Sequence, residues 1–199
     1  DESLGLRWRL NILNRSLGSL RKGDFGFIFA RPETGKTTFL ASEVSRFAEQ
    51  TTGTILWFNN EEQGSKVLRR VIQASTGRTI EAYTDDPTGT KDIFLDKTNN
   101  NIKIVDSAGI YKSTVEQYCK HYTPSLIVFD QIDKIKGFEA DRNDLRLGAI
   151  YQWARELAKT YCPIIGVCQA DGTGEGKKWL TMDNVCLLYT SDAADDTPC

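Results

Sequence analysis

The chain has 199 residues, 40% hydrophobic and 10% aromatic, which is enough apolar material for one sizeable core and crowded for two. A charged fraction of 26% with a formal net charge of -2 excludes whole-surface attraction to nucleic acid, so any DNA contact is local. No run of about 18 apolar residues marks a membrane span, and Asp1-Glu-Ser-Leu-Gly5 has neither the basic nor the apolar region of a secretory leader, so the expected location is cytoplasmic.

Short apolar runs alternate with longer segments of helical period, the pattern of parallel strands joined by crossover helices. The expected fold class is α/β, a mostly parallel sheet covered by helices on both faces. The first strand is predicted over Phe25–Phe29, and it leads into Ala30-Arg31-Pro32-Glu33-Thr34-Gly35-Lys36-Thr37. Thr38 and Phe39 then open a helix predicted over Lys36–Gln50. This is the Walker A pattern with Ala30 in place of its first glycine. Successive N–H groups at a helix N-terminus offer donors and a favourable dipole to a polyphosphate, and the stretch from Ala30 to Thr38 is expected to bind it. Gly35 lets the backbone approach closely, Lys36 reaches the β- and γ-phosphates, and the Thr37 hydroxyl can ligate Mg2+. Two departures bear on affinity: Ala30 removes backbone freedom, and Glu33 places a carboxylate near the cradle.

The second strand, Ile55–Phe58, runs into Asn59-Asn60-Glu61-Glu62. A water attacking a bound phosphate needs a group at a neighbouring strand end to orient and deprotonate it, and Glu61 is the candidate base. Glu62 is the alternative, and in a third reading both acids cap the helix predicted over Ser65–Ser75. Tyr83–Thr90, with its Asp-Asp-Pro-Thr-Gly, reads as an exposed loop. A strand over Ile102–Val105 and a helix over Ser113–His121 follow; His121, the single histidine, stands at that helix end before a proline and is given no catalytic role.

The fourth strand, Leu126–Phe129, ends in Asp130, the Walker B arrangement in which a carboxylate holds Mg2+ directly or through water. Apolar strands ending in Asp are common, and the weight of this one comes from its place two strand-helix units after the phosphate loop. Asp133 is the weaker candidate for a second ligand. After a helix over Asp144–Tyr161, the strand Ile164–Val167 leads to Gln169, whose neutral amide suits a γ-phosphate sensor better than a base. The glycine-rich, terminally basic Ala170–Lys178 reads as a mobile loop that could pass hydrolysis on to a polyanion, or as a solvated hairpin.

Cys119, Cys162, Cys168, Cys186 and Cys199 lack paired spacing, which argues for reduced core thiols and against metal ligation. Cys186–Asp195 resembles the translation of a sequencing-library adapter, so residues 1–185 are expected to be a partial domain and 186–199 a non-native tail; the alternative is a genuine acidic tail.

Together these residues resemble the RecA-like ATPase domain of DnaB-type hexameric replicative DNA helicases, including the helicase portion of phage primase-helicases, over roughly Leu10–Val185. The likeness begins at Leu17-Gly-Ser-Leu-Arg-Lys-Gly23-Asp24 and is most specific at Phe58-Asn-Asn-Glu61, followed nine residues later by Arg70. It implies a RecA-like P-loop NTPase with Glu61, Lys36 and Gln169 as catalytic residues, Thr37 and Asp130 at the metal, and ATP and Mg2+ as ligands. It also implies a homo-hexamer of the full-length parent moving along single-stranded DNA in a bacterial or phage-infected cell, with Lys136–Arg146 and Lys177–Lys178 toward the channel. The arginine that a neighbouring subunit supplies in such rings is not assigned to any residue. Two other readings stand beside this one: a RecA or RadA-like recombinase or DNA repair ATPase, and a nucleotide-dependent binding module that unwinds nothing.

Overall fold

A computed structural model of the chain describes residues 5–140, 142–170 and 178. Five strands, β1 (Phe25–Ala30), β2 (Ile55–Asn59), β3 (Ile102–Asp106), β4 (Leu126–Asp130) and β5 (Ile164–Gln169), pair in parallel in the order β1-β5-β4-β2-β3. Each predicted strand is present and runs one or two residues further than its apolar run. The extensions bring Asn59 level with both Asp130 and Asp106, and Ala30 level with Gln169. All five strands point the same way, so these polar ends share one edge of the sheet, where ligands bind in open α/β folds.

Side chains alternate between two covered faces. Ile55, Trp57, Leu126, Val128, Ile165 and Val167 pack with Leu40, Val44 and Phe47 of α2 (Lys36–Ala48) and Val67 and Val71 of α3 (Gly64–Thr76). Leu56, Phe58, Ile127, Phe129 and Ile164 pack with Val115 and Cys119 of α6 (Lys112–Tyr122) and with Leu147, Ile150 and Ala154 of α7 (Asn143–Thr160). β2 and β4 are buried at every position, whereas β1 and β3, at the sheet edges, are only partly covered. The expectation of burial on both faces therefore holds for the inner strands and not for the outer two, which among the described residues have a neighbour on one side only.

The exposed loop expected over Tyr83–Thr90 is instead the junction of two helices, α4 (Ile80–Asp85) and α5 (Pro87–Lys97). The turn-forming residues here stop one helix and start the next. The Asp86 carboxylate accepts from Gly89 N at 2.9 Å, and Pro87 sits in the first turn, where its fixed φ suits a helix and no N–H is needed. Thr90 and Phe94 are buried, with Phe94 joining the α2/α3 core. A further short helix, α1 (Asn11–Leu17), was not predicted; Asn14 Oδ1 accepts from Trp8 N at 2.9 Å, and buried Trp8 packs edge-on to Phe47.

Cys119, Cys162 and Cys168 are buried and form no disulfide with one another, as core thiols should be. Burial pushes the Cys119 and Cys162 thiols up to about 12. His121 is exposed in the last turn of α6, edge-on to Tyr122. Among the described residues no helix is long and apolar enough to cross a membrane, and no group of three or more His, Cys, Asp or Glu could by itself hold a metal ion. Cys186, Cys199, the expected tail and residues 171–177 lie outside the described residues.

Candidate nucleotide-binding site

The turn between β1 and α2 has the backbone shape that phosphate binding requires. Gly35 caps α2 at φ 88°, in the left-handed region where a side chain is strained, and Glu33 enters that region at φ 58°. The loop is tied to itself: Thr34 Oγ1 donates to Arg31 O at 2.7 Å and Lys36 Nζ donates to the same oxygen at 3.1 Å. Ala30, the departure from the glycine pattern, ends β1 as a regular strand residue and accepts from Ala170 N at 3.0 Å, so no special freedom is needed there.

Beneath the loop, Thr37 Oγ1 donates to Asp130 Oδ2 at 3.0 Å across 93 residues of sequence. Asp130 is fully buried at the end of β4, and burial, with smaller contributions from Glu61 and Glu62, pushes its carboxyl up to about 6 against the pull of the Thr37 hydroxyl and Lys36. Its Oδ1 is buried with no hydrogen-bond partner. An unpartnered carboxylate oxygen next to a hydroxyl, at the foot of a phosphate loop, is an oxygen donor set that fits Mg2+, which takes one or two protein ligands and fills the rest with water and phosphate. Asp133, the second metal candidate, stands in the short 3-10 turn after β4; its Oδ2 lies 3.8 Å from Lys134 Nζ, and its Oδ1 is likewise buried with no hydrogen-bond partner.

A cavity of about 330 Å3 opens over these groups, lined by Glu33, Gly35, Lys36, Thr37, Thr38, Glu61, Glu62 and Arg70. The two neighbouring acids differ in what holds them. Glu61 Oε1 accepts from Gln169 Nε2 at 3.0 Å, which joins the predicted base to the predicted sensor across 108 residues. Glu62 forms a two-point ion pair with Arg70, Nη1 on Oε2 and Nη2 3.1 Å from Oε1. The two acids thus differ in their partners, a neutral amide for Glu61 and a guanidinium for Glu62. Neither side chain caps α3: its N-cap is Gln63, without a side-chain bond.

The segment carrying Glu61 is clamped from both sides. Asn60 N donates to Asp130 O at 2.7 Å and Asn60 Nδ2 to Gln131 O at 3.0 Å, while Asn60 Oδ1 accepts from Ser107 Oγ at 2.8 Å. Asn59 Nδ2 donates to Asp106 Oδ1 at 3.0 Å and to Glu62 O. Sequence reasoning missed Asn59, Asn60, Asp106 and Ser107 as supports. Their one signal was position, since each directly follows an apolar strand and so stands at the edge where the ligand binds.

Other predicted positions behave differently. In the Lys136–Arg146 stretch, Lys136 N and O bond Ile110 O and Lys112 N, Arg142 pairs with Asp144, and Arg146 Nη1 donates to Asp133 O at 3.0 Å; Asp141 is outside the described residues. Lys178 is exposed, and Lys177 is outside the described residues.

Comparisons with known proteins agree with this geometry. A family model described as an AAA domain matches residues 6–175. The replicative DNA helicase DnaB of Pasteurella multocida (strain Pm70) is 25% identical over 191 residues, covering 87% of this chain and 40% of its own length. The helicase of the same name from Buchnera aphidicola subsp. Acyrthosiphon pisum (strain APS) is 26% identical over 186 residues, covering 85% of this chain and 40% of its own length. The chain thus spans 40% of the length of these curated relatives. Among solved structures, an ATPase domain superposes with a TM-score of 0.76 at 18% identity, over 92% of this chain and 70% of that one. A DnaB-like replicative helicase, studied with its interactions with primase, gives 0.71 at 19% identity, over 87% of this chain and 45% of that one. This chain belongs to the AAA domain family, and the architecture it shares with these two structures is the RecA-like ATPase fold.

Proposed function

We propose that the chain is the nucleotide-hydrolysing part of an ATP-dependent replicative DNA helicase, working in the cytoplasm as a ring of six copies of its full-length parent on single-stranded DNA. The observation that carries this reading is the 3.0 Å contact of Thr37 with buried Asp130 beneath Lys36, with Glu61 and Gln169 joined at the same strand edge. The names of the relatives support the DNA-replication part of it.

ATP would lie with its phosphates on the N–H groups from Glu33 to Thr38, its γ-phosphate beside Lys36 and Glu61. Thr37 and Asp130 would hold Mg2+, which, when bound, neutralises charge on the β- and γ-phosphate oxygens. Glu61 takes a proton from water as the water oxygen bonds to the γ-phosphorus. The bond from that phosphorus to the β–γ bridging oxygen breaks, and ADP leaves with the electron pair. Gln169, on the strand beside the phosphate loop, releases Glu61 to bind the terminal phosphate, and the segment that follows Ala170 conveys that change to DNA.

The test is Mg-dependent ATP hydrolysis by the full-length parent, with and without single-stranded DNA, followed by strand displacement on a forked duplex. DNA-stimulated turnover and displacement, both abolished by Lys36→Ala and by Asp130→Ala, are expected. Strand pairing without displacement would instead mark a recombinase, and turnover indifferent to DNA a binding module.

A further inference from the structure

The sheet edge opposite the phosphate loop carries cations that the nucleotide site does not use. A cavity of about 430 Å3 is lined there by Arg7, Trp8, Arg9, Asn11, Asn14 and Arg46. A second, of about 340 Å3, is lined by Arg21, Lys22 and Gln50 among others. Gln50 ties the two together, since its Oε1 accepts from Arg7 N and its Nε2 donates to Arg7 O, both at 2.8 Å. Ser125 and Pro163, which precede β4 and β5, also line the second cavity, so this edge is the one where the strands begin. Arg46 is in the last turn of α2, about 15 Å along that helix from Lys36.

Neither helix capping nor ion pairing accounts for these charges. The last carbonyls of α2 have other donors: Arg46 O takes Gln50 Nε2 at 2.8 Å, Phe47 O takes Gln50 N at 3.0 Å, and Ala48 O takes Asn101 Nδ2 at 3.2 Å. The Arg7 guanidinium has no partner among the described residues. Arg9 rests on neutral acceptors, its Nε 3.1 Å from Ser42 O and its Nη2 2.9 Å from Ser45 Oγ, while the Arg46–Glu49 pair is too exposed to add much stability. Glu43 and Asp24 meet only the backbone N–H groups of Arg9 and Arg21, so five cations face three carboxylates in a chain of net charge -2.

We propose that Arg7, Arg9, Arg46, Arg21 and Lys22 bind the phosphodiester backbone of a nucleic acid strand, at a site separate from the nucleotide and on the opposite edge of the sheet. Cations spread over two adjoining cavities suit a ligand whose charges come in series, and guanidinium suits phosphate oxygens in particular. Gln50, by holding the Arg7 backbone, sets one half of the band against the other. The contact is to phosphates and reads no base, so it is indifferent to sequence, sensitive to salt and independent of bound nucleotide. It stands apart from the DNA contact proposed above for the segment after Ala170 and does not depend on the helicase reading.

Anisotropy of a labelled single-stranded oligonucleotide, titrated with the 199-residue chain over a range of salt and without nucleotide, tests it. The variants are Arg7→Ala with Arg46→Ala, and Arg21→Ala with Lys22→Ala. Lys66→Ala with Lys91→Ala removes two exposed cations elsewhere as a charge-matched control, and circular dichroism reports on folding. Each pair within the band should weaken binding about tenfold at low salt and lower the slope of log K against log salt by about 1.4, while the control stays within about twofold of wild type. Arg7→Glu, at a guanidinium the fold does not use, should give the largest loss of any single change and keeps the test open if a pair fails to fold. Lys36→Ala should bind the oligonucleotide as wild type does. Band variants that bind like wild type, or that lose no more than the control, overturn the proposal and leave the nucleotide site untouched. Loss of binding in Lys36→Ala overturns it by moving the contact to the phosphate loop. Competition by a poly-glutamate peptide as strong as that of unlabelled oligonucleotide overturns it by showing charge without preference for phosphate.

Discussion

Asp130 is placed where its charge is useful to a cation and costly to the fold. Its carboxyl is pushed from the ordinary 3.8 up to about 6, chiefly by burial, so between those values the folded chain binds a proton that the unfolded chain does not. The stabilisation by neutral Asp130 is complete below 3.8 and is lost as pH rises through about 6; over the whole shift it amounts to about 3 kcal/mol. Asp130→Asn is therefore expected to raise the unfolding free energy at pH 8 by up to about 3 kcal/mol and to change it little at pH 4, while abolishing Mg-dependent nucleotide binding. Denaturant titrations at the two pH values measure this, and a loss of stability at pH 8 would contradict it. The neighbouring acids allow a second comparison. Glu61→Gln should keep ATP binding and lower turnover by about 10²- to 10⁴-fold, because the amide cannot take the proton. Glu62→Gln should continue to hydrolyse, and single-turnover measurements in which the two exchange these behaviours would reverse the assignment of the base.

The start of α3 is held against the end of β3, and through it the segment of the proposed base is set. A Cβ added to Gly64 would stand 2.7 Å from Asp106 Oδ1, the oxygen that also accepts from Asn59 Nδ2. The Asp106 carboxylate thus lies at the N-terminal end of α3, where negative charge is favoured. Gly64→Ala is expected to displace it, cost about 1 to 3 kcal/mol of stability, and lower turnover more than ATP affinity, since Asn59 and Glu61 shift while the phosphate loop does not. Thermal unfolding with steady-state kinetics checks both, and an unchanged kcat would show that Asp106 is not part of the support. Gly64 was not legible in the sequence as a packing position, because nothing local marks contact with a residue 42 positions away in an adjacent strand. The strands and the phosphate loop were legible for the opposite reason: buried parallel strands read as continuous apolar runs, and Gly35-Lys36-Thr37 sits at a fixed offset from one of them. Asp-Asp-Pro-Thr-Gly misled because Asp and Pro favour turns and helix starts for the same physical reasons, a side-chain acceptor and a fixed φ, and only the burial of Phe94 decides between them. Glu61 was separable from Glu62 only through Gln169 and Arg70, one of them a hundred residues distant.

At the scale of the whole molecule, the order β1-β5-β4-β2-β3 explains why residues so far apart in sequence meet. Placing β5 between β1 and β4 sets Gln169 beside the phosphate loop on one side and near the strand ends of β4 and β2 on the other, so the proposed sensor, metal ligand and base occupy adjacent positions on one edge. The same order puts rigidity where the proposed metal ligand stands. β4 and β2 have a paired strand on each side and are buried throughout, whereas β1, which leads into the phosphate loop, is paired on one side only among the described residues and is partly covered. Native-state hydrogen exchange should therefore show the amides of β2 and β4 opening only with global unfolding, with those of β1 at least about tenfold less protected. Bound Mg-ATP should slow exchange across Glu33–Thr38 and in β1, since the ligand binds at the end of that strand, and leave β4 governed by global stability alone. Equal protection in β1 and β4 without nucleotide would mean that the phosphate loop is as rigidly mounted as the metal ligand, and that binding has no ordering left to do at that edge.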